Sequence, residues 1–439
     1  MSTSNTRSIN LNRLYRVGCE SSWIILGQVG SLLLSIALIR VLSEYLSPEQ
    51  YGVLALLLTI PLFFNYVYAG GLSIALARFY SVAVEEDNFV GFQQASGRLF
   101  KIGAFSVAAA GLCLMIGLYG IGQSQLIMPV ALTLLLSIFS SNFSAIIHMQ
   151  STARYRATVT LETLLEALLR FGFVLGGLLW IGGTTSVVLI GYTSSAVVVL
   201  CISQFIFANQ TRHLKKTTQH NQHEWQLRLS RFIKPFLIFG IFGWIQSASD
   251  RWALQAFTTE ADVGKFAVLF QIGFLPMGMV GNFLGNLISP ILYRESGNGS
   301  DDSRNEDSHR KNWKVTQLML SLTLVGTLLA WLLHGWIFRI VTTPSYHGVS
   351  DLLPWMVFAG GLFYTSQSLV SQAIVECRPH KLTKVKVSIG IFGALCNISG
   401  AAYAGVPGVV AALVICSASY LTWGLISFTP KKQPKISSS

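Results

Sequence analysis

The sequence predicts an all-α integral membrane protein of about twelve transmembrane helices, on three observations. Hydrophobic residues make up 52% of the 439-residue chain and charged residues only 11%, against about 25% charged in an ordinary soluble domain. Apolar runs of ~20 residues recur from end to end, the length that crosses ~30 Å of hydrocarbon as helix, and mean hydropathy is +0.54. The 31 Lys and Arg residues keep to alternate gaps between those runs. A barrel would instead show ~10-residue alternating segments. A single soluble core stops growing near ~250–300 residues.

The first span begins near Trp23 and runs to Leu42. It is longer than the apolar region of a secretory signal and lacks an evident cleavage site. The next five begin near Gly52, Phe100, Leu126, Thr163 and Ser186. A second set of six begins near Phe232, Gly264, Val315, Asp351, Val385 and Pro407. The connections on one side are short, as at Ser43–Tyr51, Gly120–Gln125, Gly182–Thr185 and Tyr403–Val406. They leave no room for an external domain. The longer polar gaps fall on the other side, at Asn209–Arg231 and Arg294–Lys314, and the second reads as a flexible solvated linker.

Lys and Arg are retained at cytosolic helix ends because moving them across a bilayer is opposed. Of the 31 basic residues, 26 fall on one set of gaps, and only Arg40, Arg170, Arg251, Lys265 and Arg339 stand apart. The bias places both termini and the central connection in the cytoplasm. The expected division is a six-helix lobe over 1–208, a connecting loop over 209–231, a six-helix lobe over 232–430 and a basic tail over 431–439.

A weak internal repeat supports two halves. Ser47-Pro-Glu-Gln-Tyr-Gly52 opens the second span, and Thr259-Glu-Ala-Asp-Val-Gly264 opens the eighth. A proline follows within each span, Pro61 and Pro276, then a small-residue patch: Ala69-Gly70-Gly71, and Gly278, Gly281, Gly285. An even number of spans per half makes these parallel repeats, related by an axis along the membrane normal.

Several classes are set aside. The formal net charge is +12, but the basic residues are spread over many loops with no aromatic-interleaved groove, so no nucleic-acid partner is expected. They serve as topology determinants beside membrane lipids. The cysteines (Cys19, Cys113, Cys201, Cys377, Cys396, Cys416) form no C-x-x-C pair, and packing is expected rather than a metal or disulfide framework. There is no phosphate loop, zinc-protease motif or nucleophile elbow. Neither an enzyme constellation nor a cofactor is expected.

Ionisable residues within spans mark candidate functional positions, because charge is costly in hydrocarbon. Glu162, Glu166 and Arg170 are spaced four apart, along one helical stripe. One reading is a polar cavity wall, with Arg170 meeting an anion and Glu162 or Glu166 carrying protons. The other is a structural ion pair. Asp250 and Arg251 end the seventh span, as cavity residues or interfacial anchors. Arg40 and Arg78 end theirs, as ligands or as cations reaching the interface. Amides at Gln28, Asn65, Asn142, Gln246, Gln271, Asn282 and Asn286 suit helix–helix packing and also sugar hydroxyls. Gly172-x-x-x-Gly176 and Gly281-x-x-x-Gly285 are close-contact signals.

Three stretches carry a resemblance. They are Arg40-Val-Leu-Ser-Glu-Tyr-Leu-Ser-Pro-Glu-Gln-Tyr-Gly52, Gly70-Gly-Leu-Ser-Ile-Ala-Leu-Ala-Arg-Phe-Tyr80, and Asp250-Arg-Trp-Ala-Leu-Gln-Ala-Phe257 with Val263-Gly-Lys-Phe266. They resemble the lipid-linked oligosaccharide flippases of the multidrug/oligosaccharidyl-lipid/polysaccharide exporter superfamily. Phe266 stands where that family usually has Tyr. The resemblance implies two six-helix lobes around a central cavity, alternating access, and an undecaprenyl-diphosphate-linked oligosaccharide as cargo at the bacterial inner membrane. It implies O-antigen or another surface polysaccharide as the product, with polysaccharide polymerase machinery as a partner. Arg40, Arg78, Arg170 and Arg251 are the candidate diphosphate ligands, since guanidinium binds two oxygens at once. Glu162, Glu166 and Asp250 are the candidate coupling carboxylates.

Rival readings stay open. A drug exporter of the same superfamily shares the pattern. A major-facilitator transporter would show a Gly…Asp-Arg…Gly-Arg turn between spans two and three, which Glu85-Glu-Asp-Asn-Phe-Val-Gly-Phe-Gln93 lacks. A membrane glycan polymerase would carry a large external loop.

Overall fold

The structure is a computed structural model that describes residues 3–216, 221–296, 302–372 and 380–428. Within them the chain is helical and no strand is found. It divides into two compact units, Met1–Ala248 and Ser249–Ser439.

Unit 1 opens with α1 (Thr3–Tyr45), followed by α2 (Pro48–Leu57) and α3 (Thr59–Phe64). A five-residue π-helical segment, Asn65–Ala69, leads into α4 (Gly70–Glu85). Then come α5 (Phe89–Gly120), α6 (Ile127–Thr152), α7 (Arg156–Trp180) and α8 (Thr185–Gln210). α6, α7 and α8 pack on one another, α1 lies on α7, and α4 lies on α6. The next helix, α9 (Gln222–Phe257), begins in unit 1 and ends in unit 2. Unit 2 continues with α10 (Glu260–Ser296), α11 (Asp302–Val341), α12 (Leu353–Val370) and α13 (His380–Phe428). α12 packs on α10, α11 and α13.

Nine helices are long and apolar enough to cross a membrane among the described residues, or ten if the two parts of α9, bent by 41°, form one span. The expectation of about twelve exceeds this, and two places account for the difference. α12 is only 18 residues long and ends in polar Thr365-Ser-Gln-Ser368, which lowers its hydropathy. α13 contains Gly405 at φ 57° and ψ −131°, a conformation suited to glycine, just before Pro407. A straight helix would hold residues 400 and 408 ~12 Å apart, yet the backbones of Gly400 and Gly408 touch. The chain therefore folds back there.

Apolar side chains face outward along these helices, as lipid-facing surfaces require. Phe105, Leu112 and Ile116 on α5, and Leu322, Leu328, Trp331 and Leu332 on α11, are exposed.

The 209–231 connection is only partly a loop. α9 starts at Gln222, and Trp225, Leu229 and Ile233 are buried in a core with Leu72, Leu76 and Phe92. The indole of Trp225 meets Phe92 and Phe79 edge-on. Burying a Trp offsets the cost of ordering a segment that reads as polar. The 294–314 connection is also shortened. α10 runs to Ser296 and α11 starts at Asp302, and residues 297–301 lie outside the described ones.

The repeated turns of the two halves share one geometry. Ser47 Oγ accepts from the Gln50 N–H, and Gln50 Oε1 accepts from the Ser47 N–H, both at 3.4 Å. Thr259 Oγ1 accepts from the Asp262 N–H at 3.3 Å, and Asp262 Oδ2 accepts from the Thr259 N–H at 3.4 Å. Each closes two orphan donors of a helix start reciprocally.

Candidate functional site

The stripe on α7 faces α8, but its three charged residues do not act alike. Glu162 is 3% exposed. Its carboxylate accepts from Gln150 Nε2 at 2.9 Å on α6 and from Ser203 Oγ on α8. Gln150 Nε2 also reaches Gln210 Oε1 at 3.3 Å, and Gln210 Nε2 donates to Thr158 Oγ1 at 3.2 Å. This network ties three helices together through a buried carboxylate that has no cation beside it among the described residues. Neutral donors supply the hydrogen bonds a buried carboxylate requires.

One and two turns along, Glu166 and Arg170 form an ion pair at 3.4 Å, with side chains 23% and 32% exposed. The Arg170 guanidinium also lies 5.8 Å from the Tyr192 ring centre on α8, within cation–π reach. The pair is half-open. Its guanidinium keeps donor capacity for another anion, since it offers five N–H groups.

The other candidate arginines of unit 1 are placed separately. Arg40 on α1 pairs with Glu44 at 3.8 Å, with both side chains substantially exposed. Arg78 on α4 is exposed. In unit 2, Asp250 is 2% exposed, and its Oδ1 accepts the Arg251 N–H at 2.7 Å. The Arg251 guanidinium lies 5.0 Å from the Phe270 ring centre on α10.

The glycine signals resolve differently. A Cβ at Gly172 or Gly176 would meet nothing within 4 Å, so that pair makes no close helix contact among the described residues. Gly278 and Gly281 instead receive the Tyr364 ring of α12, and Gly285 opens onto free space.

That free space is a feature the sequence reading missed. A cavity of about 220 Å³ lies between α10, α11 and α12 of unit 2. Asn282, Asn312, Tyr364, Gln367, Ser368 and Ser371 supply its polar lining, and among the described residues no charged one lines it. Tyr364, Gln367, Ser368 and Ser371 follow i, i+3, i+4, i+7 spacing on one face of α12. That polar stripe within an apolar span was the available signal. Asn282 was read as one amide among several, and Asn286 has no described side chain.

A second missed feature lies where α9 enters unit 1. Arg228 bridges Glu86 and Glu224 at 2.8 and 2.7 Å and lies 5.1 Å from the Trp225 ring centre. All three charged groups are exposed to water, so the latch is a modest one.

Paired units of long apolar helices with a few intramembrane charges define a multi-pass membrane protein of transporter fold. Three solved structures are similar to it. The chain matches a lipid II flippase, MurJ, in an inward closed conformation at 13% identity and TM-score 0.66, covering 93% of this chain and 87% of that one. It matches an inward-facing multidrug resistance transporter of the MATE family, within the MOP superfamily, at 12% identity and TM-score 0.64, covering 91% and 94%. A MOP superfamily transporter from Pyrococcus furiosus, described as having reversed binding-pocket polarity, matches at 11% identity and TM-score 0.59, covering 95% and 96%. Identities this low speak for the fold alone. No curated protein matches the chain. The family model described as polysaccharide biosynthesis protein matches residues 17–295, and the chain belongs to that family.

Proposed function

We propose that this protein is a flippase that moves an undecaprenyl-diphosphate-linked oligosaccharide across the bacterial inner membrane by alternating access, for surface polysaccharide assembly. The observation that carries this reading is the polysaccharide-biosynthesis family match over 17–295, well over half the chain. The basic bias of the gaps supports an orientation with both termini in the cytoplasm. The lipid tail stays in the bilayer while the polar head crosses, so the protein needs a cationic, hydrated route rather than a reaction centre.

Arg170 is the strongest candidate for meeting the diphosphate in unit 1. It is half-exposed inside a span, and Glu166 and Tyr192 hold its guanidinium in place. Arg251 is the candidate in unit 2, held over Phe270. Arg40 and Arg78 are the more exposed and are better suited to attracting the headgroup than to gripping it. Asp250, buried and accepting the Arg251 main-chain N–H at its Oδ1, is a better proton carrier than Glu162, whose neutral donors already serve it.

Deletion of the gene tests the reading. Surface glycan should disappear, and lipid-linked repeat units should accumulate on the cytoplasmic face. Arg170→Ala should reproduce the defect at normal membrane abundance, and Arg170→Lys should recover only part of the export. Normal surface glycan with a loss of drug resistance would replace the flippase with a drug exporter.

A further inference from the structure

We infer that the polar cavity between α10, α11 and α12 of unit 2 binds one sugar ring of the cargo. The inference rests on the flippase reading above and names where the glycan, as distinct from the diphosphate, is recognised.

The chemistry of the lining selects the ligand class. A diphosphate or a cationic drug would require a countercharge, and none lines the cavity among the described residues. Sugar hydroxyls both donate and accept, and side-chain amides and hydroxyls match them on both counts. Asn282 makes no hydrogen bond among the described residues, so both ends of its amide are available. Among the described residues Gln367 accepts only from Tyr420 Oη, at 3.4 Å through Oε1, which leaves its Nε2 donors for a ligand. The Ser368 carbonyl is already occupied, taking Asn312 Nδ2 at 3.2 Å and Ser371 Oγ at 2.6 Å. Those bonds hold two walls of the cavity in position. Tyr364 adds an aromatic wall, seated on the glycine stripe of α10, that suits the C–H face of a sugar.

Size agrees. At about 220 Å³ the cavity falls below the ~300–1,000 Å³ of drug-sized sites. It has room for one ring and not for a whole oligosaccharide. A cavity kept open only by poor packing would be apolar and dry. This one gathers polar groups from three helices.

Gly285 makes the test clean. A Cβ there meets nothing within 4 Å, so Gly285→Leu enters the cavity with no clash at its Cβ. Asn282→Leu removes the unengaged amide at similar volume. The full chain, in nanodiscs, is titrated with two probes. One is undecaprenyl diphosphate. The other is the lipid-linked oligosaccharide extracted from cells lacking the gene.

The native protein should bind the glycosylated lipid about tenfold more tightly than the bare one. Both variants should abolish that margin and leave affinity for the bare lipid unchanged. If Gly285→Leu fails to fold, Asn282→Leu carries the same test. Equal affinity of the native protein for the two lipids, or a margin that survives both variants, overturns the cavity assignment and leaves the flippase reading standing. Failure to bind either lipid overturns both.

Discussion

Two helical stretches begin alike and end differently. Pro48–Glu85 in unit 1 and α10 in unit 2 both start from a reciprocal cap and both carry a proline inside. The first breaks at Leu58 and passes through the π-helical segment Asn65–Ala69. The second stays helical through Pro276 to Ser296. Proline alone therefore does not decide the outcome. What differs is the partner. The break in unit 1 is held by α9: Trp244 Nε1 donates to the Thr59 carbonyl at 2.9 Å, and Ser247 Oγ to Tyr66 Oη at 3.0 Å. Trp244 also meets the Phe63 ring edge-on at 5.2 Å. A π segment persists where neighbouring groups take up the carbonyls it frees.

The comparison breaks most readily at Gly240. A side chain there would run into the Tyr66 carbonyl and the Val67 Cα, both backbone atoms of the π segment. Gly240→Leu should destabilise unit 1 by about 3 kcal/mol, the upper part of the overpacking range, and thermal unfolding in detergent measures it. Gly285→Leu in α10 is the matched control and should shift the midpoint little. Cap removal gives an intermediate effect. Ser47→Ala and Thr259→Ala should each cost ~0.5–2 kcal/mol and by similar amounts, and clearly unequal losses would mean that the two turns are alike in sequence only. Trp244→Phe should have the smallest effect. It keeps the ring contact with Phe63 and loses one hydrogen bond to Thr59, about 1 kcal/mol. A loss well above that would assign the indole N–H a larger part in holding the break.

Much of this was legible in the sequence, unevenly. Alternating basic gaps and apolar runs gave the membrane class because hydrocarbon imposes length and charge rules on every span. The Ser47 and Thr259 turns were visible because capping is local chemistry. The Glu162–Glu166–Arg170 stripe was readable as one face, but spacing could not say that Glu162 is served by Gln150 and Ser203, residues on two other helices. Trp225 and Leu229 were hidden in a polar context, since their burial depends on a core supplied by α4 and α5. The α12 stripe was also hidden, because Gln and Ser in a span serve helix packing as readily as a cavity. The reversal at Gly405 falls within the expected Tyr403–Val406 connection, where a glycine and a following proline mark a break that hydropathy alone does not show.

The network around Glu162 also bears on how the chain is made. A ribosome delivers α6, α7 and α8 in that order, so the carboxylate on α7 arrives when Gln150 has already been synthesised and Ser203 has not. An acidic side chain within a lone apolar helix disfavours its insertion. Until α8 is complete, Glu162 has Gln150 but lacks its hydroxyl partner. The three helices are thus best released into lipid as a group, and the same hydrogen bonds that later fix their packing set a point of no return in biogenesis.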